Sequence, residues 1–296
     1  SRAGWIAAAV LAAVAVAAYW LPRRVGPTDA VQPLVRLDVD LGSDVSLPPL
    51  VAPTFSSLVI SPDGTRLVFV GSMSGASSRL FTRRLDDPQL TELVGTEGAT
   101  QPFFSPDGQW LAFWRQEKLA KVPIEGGAVV TLTDLSPMTG GSWVDNSSLI
   151  AGTGTPGAAG LVRVPADGGT PTPILKLAPN EWFHTFPQLL PGRNAVLMSA
   201  VSAPISLETS NVDIVSLDDG RRKTIVRGAT SARYLESGHL LYANRAGMFA
   251  VPFDLERLET VGTAVPVLGD AAFDPLTQGA QFSVSRGGTL VYRRRG

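Results

Sequence analysis

The sequence predicts an all-β chain, a six-bladed β-propeller preceded by one N-terminal transmembrane helix. Three observations carry that expectation. A strand–turn–strand unit recurs about every 45 residues, a second hairpin marker keeps step with it, and an eighteen-residue uncharged run lies near the start. Four short strands in 40–45 residues is the period of a propeller blade. Glycine (30) and proline (23) are plentiful, as many short strands joined by many turns require.

The uncharged run is Gly4 to Leu21, GWIAAAVLAAVAVAAYWL. At about 1.5 Å per residue it spans roughly 27 Å as a helix, close to the thickness of a thin bilayer core. Trp5 stands at one end and Tyr19 and Trp20 at the other, where amphipathic rings favour the membrane interface. Arg2 precedes the run and Arg23 and Arg24 follow it, so flanking charge leaves the orientation open. A cleaved secretory signal is the alternative, but its apolar core is usually about 7–15 residues. Residues 1–24 are therefore read as an anchor. Ala7-Ala8-Ala9 and Ala12-Ala13 would let two such helices approach closely, which opens the way to a homodimer.

Residues 25–53 read as a linker, stiffened by Pro27, Pro33, Pro48, Pro49 and Pro53. One patch inside it, Val35 to Leu41, alternates apolar and polar residues as a strand does. Residues 54–296 carry the repeats. Leu58 to Phe69 aligns with Pro102 to Phe113, and Ser-Pro-Asp-Gly recurs 44 residues apart at Ser61–Gly64 and Ser105–Gly108. Proline presets φ, serine and aspartate bond back to the backbone, and glycine closes the turn. Looser copies fall at Trp143–Ile150, Leu189–Leu197, Tyr234–Tyr242 and Phe282–Tyr292.

The second marker pairs Val122-Pro123-Ile124-Glu125-Gly126-Gly127 with Val164-Pro165-Ala166-Asp167-Gly168-Gly169. It is expected between the third and fourth strands of a blade. Strands such as Leu67–Val70 are apolar on both faces, as sheets sandwiched between sheets must be. The last unit has only two strands, near Gln281–Ser285 and Thr289–Arg293. An open blade leaves unpaired edges, so Val35–Leu41 is expected to complete the sixth blade beside them.

Composition excludes several functions. With 25 basic and 26 acidic residues the net charge is −1, which gives no footprint for nucleic acid. Zero cysteines exclude disulfides, thiolate metal sites and a cysteine nucleophile. Only His184 and His239 could serve as a histidine base. His184 sits among Trp182, Phe183 and Phe186 and reads as a packing residue; His239 follows a turn glycine with no established nucleophile. Gly152-Thr153-Gly154-Thr155-Pro156-Gly157 fits G-x-G-x-x-G, but a strand follows it where a nucleotide site needs a helix. Asn146-Ser147-Ser148 occupies a turn, although it matches a glycosylation sequon. Asp86-Asp87 and Asp218-Asp219 read as solvated turn residues, with calcium as the lesser alternative. No catalytic, cofactor-binding or metal residue is assigned.

The paired Ser-Pro-Asp-Gly units, the apolar strands after them and the Gly-Gly hairpins resemble the repeats of TolB-like propellers. The order of anchor, proline-rich linker and repeats resembles a narrower setting. That setting is the C-terminal, extracytoplasmic half of bacterial membrane-anchored serine/threonine protein kinases. The resemblance implies a non-catalytic sensor or interaction module on the outer side of the inner membrane. Its partners would be a protein or peptide at the propeller loops or channel, and the bilayer through residues 4–21. In that family a kinase domain precedes the membrane helix, and this chain has no His-Arg-Asp, Asp-Phe-Gly or Ala-Pro-Glu segment. Two alternatives stand beside it: a stand-alone TolB-like envelope scaffold, and the non-catalytic propeller of a peptidase.

Overall fold

The computed structural model describes residues 38–42, 44–49, 56–73, 76–135, 137–154 and 159–295. The chain divides into two units, Ser1–Val39 and Asp40–Gly296. Of the first, Asp38 and Val39 are described, without secondary structure. The anchor expected at 4–21 lies outside the described residues, and among those no helix is long and apolar enough to cross a membrane.

The second unit is a β-propeller with five complete blades, each an antiparallel sheet of four or five strands. Blade 1 comprises Leu58–Ile60, Arg66–Met73, Arg79–Arg84 and Leu90–Glu92; blade 2, Thr100–Phe104, Trp110–Arg115, Lys118–Pro123 and Val130–Asp134. Blade 3 comprises Met138–Asp145, Ser148–Thr153, Ala159–Pro165 and Thr172–Lys176; blade 4, Glu181–Leu189, Ala195–Ser202, Ser210–Ser216 and Arg222–Arg227. Blade 5 comprises Thr230–Leu235, His239–Asn244 and Gly247–Asp254, with both Glu259–Thr260 and Val265–Leu268 on its outer side.

Alternation along each second strand explains why these segments are apolar throughout. In blade 2, Leu111 and Phe113 pack with Val68 and Val70 of blade 1, while Ala112 packs with Trp143 and Leu149 of blade 3. In blade 3, Ile150 turns the other way, onto Val196 and Met198 of blade 4. Leu197 then faces Leu240 and Tyr242 of blade 5, and Leu241 and Ala243 face Phe282. With a period of two, a strand covered on both sides has no residue that meets water. The outermost strands meet solvent and are accordingly polar: Lys223 and Arg227 are exposed on blade 4. Such charges also discourage pairing with another chain's edge.

Both full copies of the Ser-Pro-Asp-Gly turn form one network. Ser61 Oγ donates to Asp63 Oδ1 at 2.5 Å and accepts from Arg66 N–H at 2.9 Å, and Thr65 N–H donates to Asp63 Oδ1 at 3.0 Å. Ser105, Asp107, Gln109 and Trp110 repeat it at 2.6, 3.0 and 2.9 Å. Gly64 and Gly108 close the turns at φ +78° and +72°, in the left-handed region that glycine occupies at no steric cost. The Gly-Gly hairpins lie between third and fourth strands, as expected.

The expected sixth blade is not complete. Its place holds the ladder Phe282–Val284 with Leu290–Tyr292 and, before it, the small hairpin Phe273–Asp274 with Gly279–Ala280. Nor do the described residues of the spare strand, Asp38 to Leu41, enter any ladder. The linker's strand is Val45–Ser46 instead, which pairs with Ser72 and Met73 of blade 1. Side chains, rather than an added strand, join the first blade to the last ladder. Gln281 Oε1 accepts from Ser57 N–H at 3.0 Å and from Ser57 Oγ at 2.7 Å. Ser283 Oγ accepts from Ile60 N–H at 3.2 Å, and Arg286 N–H donates to the Pro62 carbonyl at 3.1 Å. Ser57 and Gln281 are both buried, so the amide at Ser57 has no water to fall back on. Gln281→Ala is therefore expected to lower the unfolding free energy by about 1–3 kcal/mol in a denaturant titration. An unchanged midpoint would contradict a clasp at this point.

Candidate functional site

The first strand of each blade has one edge facing the propeller axis, so six such strands wall a central channel of about 810 Å³. That volume lies within the range of ligand-binding cavities. In blades 2 to 5 each wall strand carries a kink near its start, and the same step precedes Gly279–Ala280. Gln101, Phe186, Ser231 and Gln278 have φ between +53° and +57°, and Gly140 has φ +115°. A threonine precedes every one: Thr100, Thr139, Thr185, Thr230 and Thr277. In blades 2 to 5 the pairing register slips at the same points, which marks a β-bulge that re-aims the strand at the rim. This Thr–x step recurs through the sequence and was a readable signal, but a lone threonine every 39–47 residues does not announce a bulge.

The channel wall carries four charged side chains, Arg193, Arg233, Glu236 and Arg286. Arg193, Glu236 and Arg286 are exposed at the mouth formed by the strand-connecting turns. Arg233 lies deeper. Its Nη1 donates to the carbonyls of Phe186, at 2.8 Å, and Ala232, at 3.0 Å, and its guanidinium lies 5.8 Å from the centre of the Phe186 ring. Among the described residues no carboxylate forms an ion pair with it. Burial with no compensating charge pushes the guanidinium pKa down to about 10.

A second charged cluster is built oppositely. Glu181 is 7% exposed and accepts from Arg222 and from Ala178 N–H, while His184 Nε2 lies 2.9 Å from its Oε2. Arg222 Nε also donates to the buried Asp213, at 2.6 Å. Burial alone would raise the Glu181 pKa, but the bonds from His184, Arg222 and Ala178 outweigh it and hold the carboxyl far below its usual range. The Arg222 pKa is raised despite its burial, through Glu181 and Asp213.

His184 itself is fully buried, which agrees with a packing role. Gly152 of the G-x-G-x-x-G pattern and Gly160 beyond it explain its fit. A Cβ on Gly152 would meet the His184 carbonyl oxygen at 2.2 Å, and one on Gly160 would meet the imidazole Nδ1 at 2.2 Å. Gly154 similarly leaves room for Phe183. Strand Ala159–Pro165 follows, so these glycines are a close-packing face between blades 3 and 4. His239 Nδ1 lies 3.0 Å from the Ser237 carbonyl and 3.2 Å from Ser237 Oγ. A proton donated to that carbonyl leaves Nδ1 unable to accept one from the hydroxyl. At the sequon position, Asp145 accepts from the backbone N–H groups of Ser147 and Ser148. Asp86 pairs with Arg84, Asp87 accepts from Gln89 N–H, Asp218 from Asn194 and Asp219 from Arg221. These carboxylates tie down turns, Asp218 across to a neighbouring one, and among the described residues no three ligating side chains cluster as a metal site.

The arrangement defines a class: a β-propeller with a central channel, similar in fold to TolB. The putative TolB of Agrobacterium tumefaciens is similar, with TM-score 0.51 and 18% identity over 59% of this chain and 67% of that one. TolB from Acinetobacter baumannii gives TM-score 0.54 and 15% identity, over 66% of this chain and 51% of that one. This chain thus spans about two thirds and about half of those two proteins. A nidogen/laminin complex contains a further similar chain, at TM-score 0.53 and 10% identity, over 76% of this chain and 81% of that one. No family model and no curated protein matches the sequence.

Two outcomes follow from the blade 4 cluster. Glu181 ionises more readily folded than unfolded, so its contribution to stability is present above the ordinary carboxyl pKa of about 4.3 and is lost as pH falls below it. Stability should drop between about pH 5 and pH 2, and Glu181→Gln should flatten that slope while costing about 3 kcal/mol at neutral pH. An equal slope in both proteins, measured by urea titration across pH, would contradict the assignment. Gly152→Ala should lower stability by about 1–3 kcal/mol through its backbone clash; a thermal midpoint at the wild-type value would show that the strands have room.

Proposed function

We propose that the chain is a non-catalytic recognition module, the extracytoplasmic propeller of a membrane-anchored bacterial serine/threonine protein kinase. The observation that carries recognition is the central channel, a preformed cavity with aromatic walls, an unpaired cation and no assembled nucleophile and base among the described residues. Fold alone does not define function, so the reading rests on this site and not on the ring around it. Binding of a protein or peptide suits the channel, whose wall strands present unpaired backbone edges to an extended chain. Similar propellers in TolB and in a nidogen/laminin complex are in keeping with it.

The kinase setting rests on the sequence. The uncharged run at 4–21, the basic residues at 23 and 24, the proline-rich linker and then the propeller are ordered as in the outer halves of such kinases. Residues 4–21 would hold the chain in the inner membrane with the propeller outside, and paired anchors would make a homodimer. The same order without a kinase would be an envelope scaffold.

The reading frame immediately upstream of Ser1 is the direct test. It is expected to encode kinase segments with His-Arg-Asp, Asp-Phe-Gly and Ala-Pro-Glu, and the full chain in lipid vesicles is expected to show no peptidase or esterase turnover. An upstream frame without those segments would overturn the kinase setting. Turnover by this chain would overturn the non-catalytic reading.

A further inference from the structure

Among the described residues lining the channel, Arg233 is the one charged side chain behind the mouth; it is half-buried, and its surroundings are unusual for a cation so far withdrawn from water. Buried charges are ordinarily paired, because taking an unpaired one out of water costs several kcal/mol. Glu181, Asp213 and Arg222 obey that rule one blade away. Arg233 does not. Two backbone carbonyls hold one terminal nitrogen, the side chain lines the channel, and no bond from Nε or Nη2 to another described residue accompanies them. A guanidinium presents its donors as a rigid planar fork matched to a carboxylate, so one edge is fixed by the wall and the other is left to a ligand.

The wall is shaped around this group. Phe186 adopts φ +54°, a conformation disfavoured for so bulky a residue, and its carbonyl oxygen is the nearer of the two that grip Arg233. Its ring also lies beside the guanidinium. Neighbouring Gln188 fixes the strand that carries Arg233, through Tyr234 N–H at 2.8 Å and the Tyr234 carbonyl at 3.1 Å. The arginine is thus positioned from two blades. At the mouth Arg193 and Arg286 stand beside Glu236, so two further cations lie on the way to Arg233.

We infer that the central channel is a carboxylate-binding site with Arg233 as its anchor, the carboxylate belonging to a peptide side chain or to a free organic acid that enters past Arg193 and Arg286. This rests on the reading of the channel as a recognition site and adds the chemistry of what it recognises. The bound carboxylate would supply the counter-charge that the wall lacks, accepting from Nε and Nη2 of Arg233, with the aromatic wall excluding water from the pair.

Calorimetric titration of the full chain tests this with three probes: a blocked pentapeptide with two glutamates, the same peptide with glutamines, and glutarate. The glutamate peptide is expected to bind at least tenfold more tightly than the glutamine peptide, and Arg233→Gln should abolish that ratio. Arg233→Lys, which keeps the charge but not the fork, should retain a reduced preference. Because the ratio is taken within each protein, a folding defect would weaken both peptides and leave the preference. Glutarate binding that Arg233→Gln removes, without peptide binding, would identify a free organic acid as the source. Equal binding of both peptides, unaffected by Arg233→Gln, would overturn the carboxylate assignment while leaving the channel as a recognition site. Absence of binding by all three probes would overturn the carboxylate site itself.

Discussion

The structure depends on one constraint: every sheet buries both faces against its neighbours, so no blade is stable without the next. Leu111 and Phe113 need blade 1, Ala112 needs blade 3, and the same alternation runs on through Ile150, Leu197 and Leu241. A linear stack of such sheets would end in two apolar faces. The ring removes both ends by bringing the last ladder against blade 1, and this contact is made by side chains as much as by backbone. Ser57, Gln281 and Ser283 hold the join at Ile60 and Ser57, where the added strand of a complete sixth blade would otherwise do so.

Much of this was legible in the amino-acid order. The Ser-Pro-Asp-Gly turns and Gly-Gly hairpins are local, so residue identity alone specifies them. The doubly apolar strands reveal sheets covered on both faces without saying which blade covers which. The sixth blade was misjudged because alternation in Val35–Leu41 suggests a strand but says nothing of where a partner edge lies. The short Val45–Ser46 strand has too little pattern to stand out. The strand after Gly152 and Gly154 already argued against a nucleotide site, but the reason for the glycines appears only in the fold: Gly152 and Gly160 give His184 room across a blade interface. Such a contact joins segments far apart in sequence, where no spacing rule reaches.

The candidate site was the least legible part. Arg233 follows Ala232 in a strand of ordinary composition, and nothing nearby marks it. Its position is set by the bulge at Ser231, which shifts register and turns the next side chains relative to the channel. The contrast with Glu181 is instructive in physical terms. Glu181, Asp213 and Arg222 were placed on the first, third and fourth strands of one sheet, and each charge found its complement within the fold. Arg233 was given carbonyl oxygens, which orient a cation and do not neutralise it. One cluster completes the protein; the other waits on something outside it.

Native-state hydrogen exchange most directly tests the account that closure at Ser57 and Gln281 makes the five blades and the final ladder one cooperative unit. The account predicts that amides of the second strands in blades 1 to 5, and of Phe282–Val284, exchange only through global opening, with one common free energy. Exchange of blade 1 and the final ladder at much lower free energy than blades 2 to 4 would contradict it, because the ring would then be open at its join.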